Sequence, residues 1–311
     1  MISEPTSLFH LAGLPAFVTR TLHFELVGTS ESSFDERPGH TGGRLPEMHH
    51  APEFFAFGDV AFETQEIGSI RVTHVLDDLD RVAALSLQAL HQQVFSYLMD
   101  FHGHVVPDQA GLGRLSVVWL GIEADRGEIG GAAGHRSLLV NYPYGDDAAQ
   151  SINNARTLLL VAHEQTHQLH DYMRGDAPPL PAWMSESLAH FSALSALMRS
   201  GLPPATTAEL ASIFIDVERP IDAGLLELAR RHAMGDPEAY GRFYTQGATF
   251  WSEVDRILRS WPSRAGGLAE LLPEIIRRGG ELENGSALLR EILDAHADPE
   301  MQALIERYVG H

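Results

Sequence analysis

Two proline-free segments, residues 151–174 and 184–200, carry apolar residues at helical spacing and are separated by the tract DAPPLP. Proline lacks the amide hydrogen a helix needs and clashes with the preceding turn, so the tract forces a break between two helices. A connection this short turns the second helix back antiparallel to the first. The first segment contains VAHEQTHQLH and the second opens as PAWMSESLAHF, so the break brings histidines and carboxylates of different helices within reach of one another.

The rest of the chain is organised around that hairpin. Residues 21–27, TLHFELV, alternate apolar and polar side chains as a half-buried strand does. From Gly28 to Pro52 the composition turns to Gly, Pro, Ser and His, the signature of an irregular loop. Strand character returns at FFAFGDVAF and SIRVTHVL, making residues 1–76 a β-rich region. The acidic cluster Asp77–Asp80 precedes Val82, Leu85, Leu87, Leu90, Val94 and Leu98, which predicts one long amphipathic helix. LSVVWLGIE and SLLVNYP read as two strands of one sheet, separated by the glycine-rich EIGGAAGH. Residues 77–204 thus form an α/β region, and 205–311 a set of short helices that completes the site.

Composition removes several function classes. There is no cysteine, which excludes disulfides, thiolate metal sites and a thiol nucleophile. The formal charge of −20 repels nucleic acid and anionic membranes, so neither is an expected partner. No apolar run approaches the roughly 20 residues of a spanning helix, and the N-terminus lacks a basic region followed by a continuous apolar one. A cytoplasmic protein is the expectation.

His163 and His167 stand four apart on a predicted helix, hence on one face, where two imidazoles can share an ion. Zinc suits such a pair, since it takes nitrogen and oxygen donors tetrahedrally and keeps a position for water in catalytic sites. Glu164, beside the first histidine, has the reach to take a proton from that water and later deliver it to a leaving amine. In a chain with 17 histidines, H-E-x-x-H alone is also compatible with paired solvated helix histidines. Glu186, eighteen intervening residues after His167, supplies a third ligand from the second helix.

Three blocks in this order resemble the gluzincin zinc metallopeptidases, in the branch of aminopeptidase N and glycyl aminopeptidase. His163-Glu164-Gln165-Thr166-His167 matches the H-E-x-x-H element, and Trp183-Met184-Ser185-Glu186-Ser187-Leu188-Ala189 is similar to the block carrying the third ligand. Tyr244-Thr245-Gln246-Gly247-Ala248 looks like the Y-x-K-G-A element, whose tyrosine donates to the tetrahedral intermediate. The resemblance implies one Zn2+ per chain on His163, His167 and Glu186, with Glu164 as base and Tyr244 as oxyanion stabiliser. Tyr240 competes for that role but lacks the following Gly-Ala. It also implies an α+β fold: a thermolysin-like zincin catalytic domain, a small N-terminal β-rich part and a helical C-terminal part. The substrate would be a peptide or protein.

The resemblance departs at the glycine-rich strand, where the family's glutamate grips a free amino terminus. Gly134 or Ala133 stands in its place, and Glu128 lies several residues earlier. Main-chain groups around Ala133, Gly134 and His135 are then candidates to pair with an extended peptide, or the segment is a plain glycine-rich turn. The expected activity is accordingly aminopeptidase-like without the usual amine contact. A metalloendopeptidase or a non-catalytic zinc- or peptide-binding protein is the alternative. Asp171 and His190 are candidate outer partners of the ligands, while His49, His50, His102 and His104 lack ligand spacing. The resemblance covers best the region from Asp77 onward.

Overall fold

The computed structural model describes residues 60–103, 113–125, 129–134, 136–278, 286–293 and 298–310, and four short strand segments before them. Those segments are β1 (Ile2–Ser3), β2 (His23–Glu25), β3 (Gly42–Arg44) and β4 (Phe54–Phe55), with β1 antiparallel to β4 and β2 to β3. The strand expected at 21–27 is thus described at its centre, and the expected loop is interrupted by β3. The chain divides into two compact units, residues 1–92 with 107–164 and residues 93–106 with 165–311.

The first unit is built on a five-stranded mixed sheet of β5 (Ala61–Ile67), β6 (Ile70–Leu76), β7 (Arg114–Glu123), β8 (Gly131–Ala133) and β9 (Ser137–Tyr144), in the order β5-β6-β7-β9-β8. Strands β5 and β6 form a hairpin whose turn is opened by Gly68 at φ 60, the left-handed region that glycine enters without steric cost. Strands β6, β7 and β9 are mutually parallel, and β8 returns antiparallel to β9 as an edge. The inner strands are buried along long apolar runs, with Val72, Val75, Val117, Val118 and Trp119 fully or almost fully enclosed. LSVVWLGIE and SLLVNYP are indeed neighbours in one sheet.

The expected single helix after Asp77 is two. Asp78 accepts from the Arg81 amide at 2.9 Å and caps α1 (Leu79–Ala84). Ser86, at φ 56, is in the left-handed region, which a helix cannot pass through, and α2 (Leu87–Phe101) starts afresh beyond it. The apolar spacing continues across the break, which is why the periodicity alone reads as one element.

Helix α3 (Gln150–Arg174) follows β9, and α4 (Ala182–Leu197) follows the proline tract, as the sequence predicts. In the second unit α4 is buried on nearly every face from Trp183 to Leu197, the mark of a central helix. Then come α5 (Pro204–Phe214), α6 (Leu225–Ala233), α7 (Pro237–Arg242), a π-helical turn (Phe243–Gly247), α8 (Ala248–Ser260), α9 (Leu272–Arg278), α10 (Ala287–Ile292) and α11 (Pro299–Tyr308). Short helices after residue 205 are therefore observed, two of them capped by aspartates, Asp236 and Asp298, ahead of a proline. Trp251 on α8 donates to Ser187 of α4 at 2.8 Å, tying the two together. The chain is α+β, and among the described residues no helix is long and apolar enough to cross a membrane.

Candidate metal centre

Four residues of α-helix advance about 6 Å and return to the same face, so α3 fixes His163 and His167 one above the other. The turn at 175–181 ends with Pro181 at the start of α4, and one turn into α4 stands Glu186. One ligand atom from each of His163, His167 and Glu186 lies within 4.8 Å of the others. His167 Nε2 is 3.5 Å from a Glu186 carboxylate oxygen. Adjacent donors around a tetrahedral ion with bonds of about 2.0–2.1 Å sit roughly 3.4 Å apart. Two imidazoles and a carboxylate at such separations are a donor set that could hold a divalent ion, with borderline metals of the zinc kind the best chemical match.

The surroundings orient these groups. Ser185 Oγ lies 3.2 Å from His167 Nδ1. If that nitrogen carries the ring proton and donates it to Ser185, Nε2 is left with its lone pair on the side of Glu186. The same two-residue stretch of α4 therefore carries a carboxylate for the centre and an oxygen for its neighbour. Asp171, considered for that second task, instead pairs with Arg174 at 3.1 Å and has 63% of its side chain exposed.

The Tyr244 hydroxyl donates to Glu186 Oε2 at 3.1 Å. Burial first, then its hydrogen bond with Tyr240 and the nearby Glu186 charge, push the Tyr244 phenol well above its ordinary value. It is accordingly a donor throughout the range in which proteins are stable. The tyrosine sits in the π-helical turn, whose extra residue re-aims side chains relative to a regular helix. Gly247 ends that turn against Ser187, where a Cβ would collide with the Ser187 Cβ. His190, one turn after Glu186, is buried and packs on Phe214 and on the Tyr244 ring, with centroids 4.2 and 5.2 Å apart. Tyr240 stacks edge-on against Tyr244 at 5.3 Å.

In the first unit, Glu164 Oε2 accepts from the Ala133 amide of β8 at 3.0 Å. The glycine-rich segment is thus a strand rather than a plain turn. Gly134 is buried and its amide closes the β8–β9 connection on the Ser137 carbonyl at 2.7 Å, while His135 lies outside the described residues.

Sequence reasoning missed two things. Ser185 gave its only signal in being adjacent to Glu186. His102, set aside for lacking ligand spacing, directly follows α2 and is fully enclosed, with its Nε2 3.2 Å from that of His170. His49, His50 and His104 fall outside the described residues.

No protein-family profile matches this sequence, and no curated protein matches it. Among solved structures, the fold is similar to that of an aminopeptidase N family protein from Idiomarina loihiensis, with a TM-score of 0.63 at 13% identity over 91% of this chain. The chain spans about half the length of that protein, 53% of it. At this identity the likeness establishes a shared fold.

Proposed function

We propose that this chain is a zinc-dependent peptide hydrolase of the thermolysin-like, gluzincin type, acting on peptides or proteins. The observation that carries the reading is the convergence of His163, His167 and Glu186, with a carboxylate, Glu164, immediately following the first ligand. The aminopeptidase N family fold is the second support. His163, His167 and Glu186 would hold the ion, which would supply Lewis acidity to polarise the scissile carbonyl and to make water nucleophilic near neutral pH. Glu164 takes the proton of the attacking water and passes it to the departing amine. Tyr244 exchanges its Glu186 acceptor for the carbonyl oxygen as negative charge gathers there, the preorganised donation that contributes most when water is excluded. The outward edge of β8 offers main-chain groups on which an extended substrate can lie.

The test is metal content of freshly purified protein together with cleavage of a mixed peptide library before and after chelation. One zinc per chain and chelator-sensitive cuts are expected, and Glu164→Gln should keep the zinc while losing about 10²- to 10⁴-fold in turnover. No uptake of zinc on reconstitution, or full activity in the variant, would overturn the reading. Peptides with free and acetylated N-termini, cleaved equally, would identify an endopeptidase; dependence on the free amine would identify an aminopeptidase.

A further inference from the structure

In an antiparallel pair, residues alternate between those bonded across the ladder and those whose amide and carbonyl point away from it. Gly134 donates to Ser137 and Gly130 accepts from Asn141. The bonded positions of β8 are therefore 130, 132 and 134, and the main-chain groups of Gly131 and Ala133 face outward. Strand β8 is the edge of the sheet, so among the described residues no further strand pairs with those groups.

One of them is already engaged. The Ala133 amide donates to Glu164 Oε2 at 3.0 Å. The contact is built into the packing of strand on helix. Two residues of strand advance about 6.7 Å and four of helix about 6.0 Å, so Gly131 and Ala133 keep step with Leu160 and Glu164 along α3. At Gly131 the approach is close enough that a Cβ would stand 3.1 Å from Leu160 Cδ2 and 2.7 Å from the Leu139 carbonyl oxygen, which is where glycine is required. Glu164 thus occupies the very donor that an extended peptide, adding as a further strand, must use.

We propose that the Ala133 amide is a latch on Glu164: it holds the carboxylate while the edge is empty, and is surrendered to a backbone carbonyl of the substrate when a peptide pairs with β8. Release of Glu164 is then coupled to strand pairing. Substrates long enough to pair free their own base, and short ones leave it latched. This rests on the hydrolase reading above, in which Glu164 moves the proton; Ala133 is a positioning residue that touches the chemistry through Glu164.

Two experiments on the full chain test it. The first needs no turnover: hydrogen exchange at the Ala133 amide is compared in wild type and Glu164→Ala. Since that amide points out of the ladder, its protection should fall about tenfold or more, while that of Ala132 stays. Unchanged exchange at Ala133 would overturn the latch. The second removes the donor by Ala133→Pro, and by an amide-to-ester replacement at residue 133 that keeps the strand's shape. Turnover of an aminoacyl p-nitroanilide, too short to pair, should rise about three- to tenfold, whereas KM for an extended octapeptide rises by a similar factor, the scale of one hydrogen bond. A merely structural role would lower both activities together, and that result would overturn the proposal. Wild-type protein that hydrolyses neither substrate would instead sink the hydrolase reading and the coupling with it, and is distinguished by the exchange experiment, which reports the latch alone.

Discussion

The residues of the candidate centre carry an unequal amount of information. His163, His167 and Glu186 were legible because helical spacing and one forced turn fix them, with no need of tertiary detail. Ser185 was not, because its partner His167 lies on another helix and a serine beside a glutamate has no pattern of its own. Its position at 3.2 Å from His167 Nδ1 leads to a prediction. Ser185→Ala leaves all three ligands but frees the imidazole to rotate and change tautomer, so zinc affinity should fall about 10-fold, within the 10- to 100-fold typical of such outer partners. Competition against a chromophoric chelator measures this directly, and affinity equal to wild type would show that the serine orients nothing. Tyr244→Phe gives the opposite pattern. It removes the donor to Glu186 Oε2 but leaves all three side chains of the centre in place, and a carboxylate, unlike an imidazole, has no tautomer to lose, so zinc binding should persist while kcat drops about 10²- to 10³-fold with little change in KM.

At the scale of elements, the helices and strands followed from periodicity, and the failures fall where the backbone leaves a regular path in a way that hydrophobic spacing does not register. Ser86 interrupts a continuous apolar stripe with a left-handed residue, and the π-helical turn at Phe243–Gly247 hides inside what reads as an ordinary helix. Hydrophobic spacing reports which side chains are inward, and it is insensitive to one extra residue in a turn. Glycine-rich EIGGAAGH left strand and turn open, since the pairing that makes β8 a strand comes from β9, a partner the local composition does not contain. Gly247 illustrates how tightly the π turn is seated. Gly247→Ala would drive a methyl into the Ser187 side chain in a fully buried seam between α4 and α8. Urea denaturation should show a loss of about 1–3 kcal/mol, the usual cost of overpacking, and no loss would mean that the seam yields easily.

Over the whole molecule, each compact unit encloses a histidine that the fold keeps neutral, and this sets how the protein meets acid. In the first unit His74 is lowered to about 2, by burial and then by the neighbouring His91. Its Nδ1 accepts from Trp119 at 2.9 Å, so the ring proton sits on Nε2, beside the Gln65 side chain, which receives it with its amide turned to present the oxygen. In the second unit His102 is lowered to about 4 by burial, against which its bond to the Leu98 carbonyl at 2.7 Å works only in part. That bond keeps the proton on Nδ1, so Nε2 accepts from His170, and protonation would set donor against donor in an enclosed site. Both folded values lie below the 6.5 of an exposed imidazole. The unfolded chain therefore binds these protons first, and the stability they contribute is complete above about pH 6.5 and lost as pH falls, through about 4 for His102 and further for His74. Carboxylate protonation acts the other way, relieving the self-repulsion of a chain with formal charge −20, so wild type alone gives a mixed curve. The difference between wild type and His102→Gln, measured by urea denaturation in chelator between pH 7.5 and 4.5, isolates the one histidine. The variant should be the less stable at pH 7.5, having lost a packed imidazole, and the gap should narrow by about 2–3 kcal/mol by pH 4.5. A gap constant with pH would mean that His102 is charged in the folded protein, or reaches water in a way its burial denies.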